Sequence, residues 1–169
     1  GRESGDAAND AIDRGIFVIA AAGNDGGDDD DGDVASPASE TAVIAVGGVT
    51  SSGTIWTGSS IGDNNGRIWP LPILTPRNDP HKKPEIVAPA YRVPVINNQG
   101  TWSLVDGTSA ATVFVTGAIA LLLENNPELA ANGSQGSAST VNDVKGYIVQ
   151  SSKKQDGQNG HDNHYGYGL

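Results

Sequence analysis

From Ser109 to Leu123 the chain reads Ser-Ala-Ala-Thr-Val-Phe-Val-Thr-Gly-Ala-Ile-Ala-Leu-Leu-Leu, apolar almost throughout, and stops at Asn125-Asn126-Pro127. This run exceeds an ordinary strand and falls short of the roughly 20 residues a membrane span requires. It predicts a helix from about Thr108 that is buried nearly all round. Ile16 to Ala22 and Thr41 to Val49 are short, continuously apolar runs, the mark of strands buried on both faces. Glu85 to Val87 and Thr101 to Val105 read as two more short strands. Asp6 to Arg14 has helical spacing and ends at Gly15, which sits where a C′ glycine stops a helix. Helix, glycine and buried strand in that order suggest half of a βαβ unit. Val141 to Gln150 is amphipathic and predicts another helix, with Gly133 to Ser139 as a flexible lead-in.

The remaining segments are loops by chemistry. Asp25 to about residue 35 has DGGDDDDGD at its heart, and no core holds so many adjacent carboxylates. In the stretch from Ile61 to Lys83, Pro70, Pro72, Pro76 and Pro80 are expected to break any regular element. The 169 residues suit one domain, and 23 glycines suit an α/β protein rich in tight turns. Ten basic against 20 acidic residues give a net charge of −10, which excludes the basic footprint of a nucleic-acid or anionic-membrane partner. With no cysteine, thiolate chemistry and disulfides are excluded. The chain has no methionine and opens without a signal pattern, so it is expected to be a processed piece or a fragment.

Two places carry candidate chemistry. In Ala20-Ala-Ala-Gly-Asn-Asp-Gly a buried strand runs into Asn24 at its C-terminal end, where sites gather in open α/β sheets. In Asp106-Gly-Thr-Ser-Ala-Ala, Ser109 stands at a helix N-terminus, where free N–H groups favour developing negative charge. Each has a plainer reading. Serine before an apolar helix is commonly an N-cap, and Asn-Asp-Gly is strong turn chemistry.

Order and flanking sequence decide between the readings. The helix, strand and AAGN of Asp10 to Gly26, the segment Ser36 to Gly53, Lys83-Pro-Glu-Ile-Val-Ala-Pro, Gly107-Thr-Ser-Ala-Ala, Gly117 to Pro127 and Tyr165-Gly-Tyr-Gly-Leu together resemble the subtilisin-like serine proteases. The six blocks fall in that family's order, and correspond to the C-terminal part of its catalytic domain (subtilase, peptidase S8). The resemblance implies an α/β fold, a parallel doubly wound sheet with helices on both faces, incomplete in this chain with an exposed apolar edge. It implies Ser109 as nucleophile of a serine endopeptidase, with the Asn24 side chain and the Ser109 backbone N–H as oxyanion donors. Ala21, Ala22 and Gly23 would floor the pocket for the side chain before the scissile bond, and Gly107 would allow close approach of substrate. Peptides or proteins would be the substrates, a secreted setting would be usual, and no cofactor is required for the chemistry.

The family's catalytic Asp and His lie in motifs upstream of the region present, so the missing N-terminal half is an expected partner. His81, His161 and His164 are outside any His-Gly-Thr pattern. Ala110, Val113 and Phe114 stand where the family carries a methionine or small residue, a proline and a histidine, and Ala90 replaces a glycine after Ala-Pro. The stretch 61–83 reads as an insertion. Calcium is a candidate structural ion, since Asp25 to Asp33 offers many oxygens, although Gly27 and Ala38 spoil the EF-hand pattern. Three readings stand: a protease seen as its C-terminal half, an inactive pseudoprotease serving as a binding or structural module, and a processed half that needs a partner chain carrying Asp and His.

Overall fold

The computed structural model of the chain describes residues 2–26, 33–68 and 73–169; the centre of the acidic loop and the tip of the proline-rich stretch lie outside these described residues. Helix α1 (Arg2–Asp13) ends as its glycine predicts. Gly15 has φ +80°. The Gly15 N–H donates to the Ile12 carbonyl at 2.8 Å and the Ile16 N–H to that of Ala11 at 3.1 Å. These are the two bonds of a Schellman motif, which satisfy carbonyls the helix end leaves free.

Strand β1 (Ile19–Ala21) and strand β2 (Ile44–Val49) pair in parallel, with Ile19 opposite Ile44 and Ala21 opposite Val46. Both are shorter than their apolar runs, although Phe17, Val18 and Ala42 still pack against the core. Strands β3 (Asn65–Ile68) and β4 (Ile73–Pro76) form an antiparallel hairpin inside the proline-rich stretch. This corrects the expectation that prolines break every element there: Pro76 ends a strand and leaves the pairing of Asn65 to Ile68 intact. The hairpin is anchored at its base. Arg77 donates to both carboxylate oxygens of Asp33, at 2.8 and 3.0 Å, and Asn64 accepts from the Lys83 N–H at 2.8 Å.

Strand β5 (Ile86–Pro89) completes a three-stranded parallel sheet of order β1-β2-β5. Strands β6 (Val93–Ile96) and β7 (Trp102–Val105) form a second hairpin, of which only the second strand is visible as a run in the sequence. Helix α2 (Thr108–Asn125) follows, and helix α3 (Ala138–Ser151) begins three residues before the amphipathic pattern does, capped by Ser137, which accepts from the Thr140 N–H at 3.2 Å.

Alternation along β2 divides the core. Ala45 lies in a cluster with Ala8 and Ile12 of α1 and Val141 of α3. Ile44 and Val46 lie in another with Ala111, Val115 and Ile119 of α2. Helices therefore cover both faces of a parallel sheet, the doubly wound arrangement. The free edge of β5 is covered by the C-terminal Tyr-Gly-Tyr-Gly segment: the Tyr167 N–H donates to the Glu85 carbonyl at 2.7 Å, and the Val87 N–H to that of Gly168 at 3.0 Å. β1 is the opposite edge.

Helix α2 corrects the expectation of all-round burial. Only Thr108, Ala111, Val115 and Ile119 are buried, a single stripe at helical spacing. Val113 is 70% exposed and Leu121 68%. Its 18 residues and mean hydropathy of 1.3 make it, among the described residues, the one helix long and apolar enough to cross a membrane by length and composition. Its buried stripe nonetheless lies on the sheet.

Three charged side chains hold the sheet to α3. Lys83, Glu85 and Lys145 are each 0% exposed. Glu85 Oε1 receives Lys83 Nζ at 2.8 Å and Lys145 Nζ at 2.5 Å, and Oε2 accepts from the Ala45 N–H at 2.7 Å. Both ammonium groups also donate to the Val43 carbonyl, at 2.7 and 3.1 Å. Burial pushes Lys83 down to about 7 against the attraction of Glu85, and lowers Lys145 for the same reason.

The unfolded chain keeps the Lys83 proton up to its ordinary 10.5, whereas the folded chain releases it near 7. Between these values the unfolded state binds more protons, so this contribution to stability is complete above about 10.5 and is lost as pH falls to about 7. Denaturant midpoints should rise across that window, and Lys83→Met should reduce the rise; an unchanged slope in the variant would assign it to other groups. The exposed face of α2 makes a second prediction. The isolated 169-residue chain should self-associate in sedimentation and bind a hydrophobic dye. A monomeric, dye-silent chain with a cooperative melt would count against it.

Candidate active site

The site lies where β1 runs out and α2 begins. The Ala22 N–H still bonds to the Val46 carbonyl at 2.9 Å. Ala22 is fully buried, in the cluster with α1, and its carbonyl accepts from the Ala35 N–H at 2.7 Å, so it presents no surface to a ligand. Ala21 and Gly23 are half-buried. Gly23 has φ +120°, and a Cβ there would lie 2.6 Å from Ser60 Oγ, so no larger residue fits.

The chain entering α2 is fixed on the other side. The Gly107 N–H donates to the Ala90 carbonyl at 2.8 Å, and Asp106 Oδ1 accepts from the Arg92 N–H at 2.7 Å. Ala90, where the family has glycine, is buried, and its Cβ takes the space that Gly48 leaves: a Cβ on Gly48 would lie 2.6 Å from it. The positive φ of this turn is at Arg92, at 52°, rather than at Ala90.

Ser109 is the second residue of α2 and is exposed. The helix is capped by Gly107 with no side-chain cap bond, so the N-cap reading of Ser109 is overturned. As one of the first four of the helix, the Ser109 N–H lacks an intrahelical partner and stands at the positive end of the dipole.

Thr108 joins the two segments, and sequence reasoning passed over it. Asn24 Oδ1 accepts from the Thr108 N–H at 2.9 Å and from its Oγ1 at 2.9 Å. Oγ1 also accepts from the Gly23 N–H at 3.2 Å and lies 3.1 Å from the Gly23 carbonyl oxygen. With its oxygen engaged twice, the Asn24 amide presents its NH₂ outward. A Cβ placed on Gly107 would lie 3.5 Å from Asn24 Nδ2 and 3.8 Å from the Ser109 nitrogen. Both donors therefore border the same space, and the glycine keeps it open. The signal for Thr108 was a hydroxyl beside the candidate nucleophile.

The Ser109 hydroxyl has no hydrogen-bond partner among the described residues. The histidines are engaged elsewhere. His161 Nε2 lies 2.9 Å from the Pro84 carbonyl oxygen, and His164 Nδ1 lies 3.8 Å from Asp162. His81 packs near Thr41 and Lys145; burial lowers its proton affinity and that of His161. Among the described residues no group of three or more His, Asp or Glu side chains is placed to hold a metal ion. At the end of the acidic loop the Asp33 carboxylate accepts from Arg77, and the expected calcium ligands at 27–32 lie outside the described residues.

Comparison with known proteins agrees with this architecture. The subtilase family model matches residues 1–168. The chain is 33% identical to subtilisin NAT of Bacillus subtilis subsp. natto over 69% of its length, covering 26% of that protein. It is 32% identical to subtilisin DY of Bacillus licheniformis over 75% of its length, covering 39% of that protein. Among solved structures, the prenylagaramide maturation protease PagA superposes with a TM-score of 0.68 at 24% identity, over 96% of this chain and 50% of that one. The self-cleaved protease domain of PatA gives 0.61 at 24% identity, over 88% and 46%. The chain belongs to the subtilase family of serine peptidases. It spans about a quarter to two-fifths of the curated relatives and half of the PagA chain.

Thr108→Val would leave the part-buried Gly23 N–H without its acceptor, a loss of about 1–3 kcal/mol. The expected result is a lower urea midpoint with an unchanged m value; an unaltered midpoint would show that the hydroxyl bonds add nothing net.

Proposed function

We propose that the protein carrying this chain is a serine endopeptidase in which Ser109 attacks the peptide carbonyl. The Asn24 amide and the Ser109 N–H receive the charge that develops on the carbonyl oxygen. The observation that carries this reading is the convergence of these two donors, 85 residues apart (109 − 24), on the space beside Gly107. Neutral amide donors fixed before the reaction are suited to an oxyanion, because they need no reorganisation as charge develops. Ala21 and Gly23, half-buried on either side of the buried Ala22, are the residues of this segment left for a peptide substrate to meet.

Serine is a weak nucleophile until a base takes its proton. None of His81, His161 and His164 is hydrogen-bonded to Ser109 among the described residues, so the reading places the base and its orienting carboxylate in the family's upstream motifs. The proton passes from Ser109 Oγ to that base and then to the leaving amine, and water completes the hydrolysis of the acyl-enzyme. The family also favours a secreted setting and peptide or protein substrates. A pseudoprotease that binds without cleaving is the second reading, favoured by the unpartnered Ser109 hydroxyl.

A fluorophosphonate probe separates the two. In the whole protein it should label Ser109, read by peptide mass spectrometry, and Ser109→Ala should abolish both labelling and peptidase activity. Asn24→Ala should leave Ser109 in place but lower kcat by about 10²–10³, the loss that subtilisins show on removal of their own oxyanion asparagine. Absence of labelling would move the assignment to the binding module.

A further inference from the structure

Thr108 fixes the side chain of Asn24, but the direction of that side chain also depends on the two peptide planes that flank its Cα. The residue placed on both planes is Ser60. Its N–H donates to the Gly23 carbonyl at 3.0 Å, and its Oγ accepts from the Asp25 N–H at 3.1 Å. Ser60 is 1% exposed, and its hydroxyl lies directly against the face of Gly23 that lacks a Cβ.

The segment that presents Ser60 is itself held. The Ser59 N–H donates to the Trp56 carbonyl at 2.9 Å, closing a turn, and the Gly26 N–H donates to Gly58 at 3.1 Å. Ser59 Oγ accepts from the Gly48 N–H at 2.9 Å, tying the turn to the end of β2. Rigid support therefore runs from the central strand through Ser59 to Ser60 and onto both sides of Asn24.

We propose that Ser60 is a positioning residue for the oxyanion hole, locking the peptides before and after Asn24 so that the amide is aimed before substrate arrives. The proposal rests on the reading of Asn24 as an oxyanion donor. Its chemistry requires an acceptor at this position: alanine keeps the bond from the residue 60 N–H to Gly23 but leaves the Asp25 N–H unpaired, and the following peptide is free to turn. Asn24 follows a glycine at φ +120° and so has little local restraint of its own.

The test is a double-mutant cycle in the whole protein. Ser60→Ala should lower kcat about tenfold, the rate equivalent of one hydrogen bond, with KM unchanged. In an Asn24→Ala background the same substitution should have almost no further effect on kcat, because there is no donor left to aim. Ser60→Cys, of similar size and a weaker acceptor, should fall between. Equal loss in both backgrounds, or no loss in either, overturns the proposal. If Asn24→Ala itself leaves kcat unchanged, the oxyanion reading fails instead, so the two failures are distinct. A measurement independent of turnover is the side-chain amide NMR signal of Asn24, assigned by its loss in Asn24→Ala. One sharp pair of resonances in the parent should broaden or double in Ser60→Ala, and an unaltered pair overturns the proposal whatever the activity.

Discussion

Glu85 is the point on which the sheet and the helix behind it depend. Its two oxygens receive two ammonium groups and one backbone N–H, all out of reach of water. Through them β5 is joined to the start of β2 and to α3. A buried ion cluster adds little stability over an apolar core of the same volume, yet removing Glu85 is costly, about 3–5 kcal/mol, because both lysines would remain buried without their carboxylate. The cluster thus specifies arrangement more than it adds energy. With Lys83 and Lys145 both reaching the Val43 carbonyl, β5 can join β2 in one register, with Val46 opposite Ile86.

That register is transmitted to the site in short steps. It sets Gly48 beside Ala90, whose buried methyl group fills the glycine's open face, and the Ala90 carbonyl holds the Gly107 N–H. From Gly107 the chain has one residue to go before Ser109. On the other side of β2, pairing with β1 brings Gly23 and Asn24 to the same end of the sheet. The donors are thus placed by strand pairing and small-residue contacts, with Thr108 as the bridge.

Much of this was legible in the sequence. Gly15 stopped α1 as its position implied, the apolar runs marked β1 and β2, and the order of motifs gave the family. The readings that failed did so for identifiable reasons. Apolar composition of α2 implied burial on every side, but composition reports what a helix can be packed against, and this chain provides one sheet for one stripe. Prolines in the stretch 61–83 argued against strands, yet a hairpin needs only a few paired residues and tolerates Pro76 at its end. The Lys–Glu–Lys cluster was invisible because its members are separated by up to 62 positions, 145 − 83, and charged residues read as surface until partners are known. Thr108 and Ser60 were missed for a related reason: hydroxyls acting on backbone leave no periodic trace.

The distance along the chain between Asn24 and Thr108 also bears on when the site can exist. Closing a loop of 84 residues carries an entropic penalty of order (3/2)RT ln n, about 4 kcal/mol before any contact repays it. Helix α2 can form locally, and so can either hairpin, but Asn24 and Ser109 come together only once β1, β2 and β5 are aligned. A partly folded chain therefore holds Ser109 and Asn24 far apart. Folding itself acts as the latch on this half of the site, closed until the last of the three strands is in place.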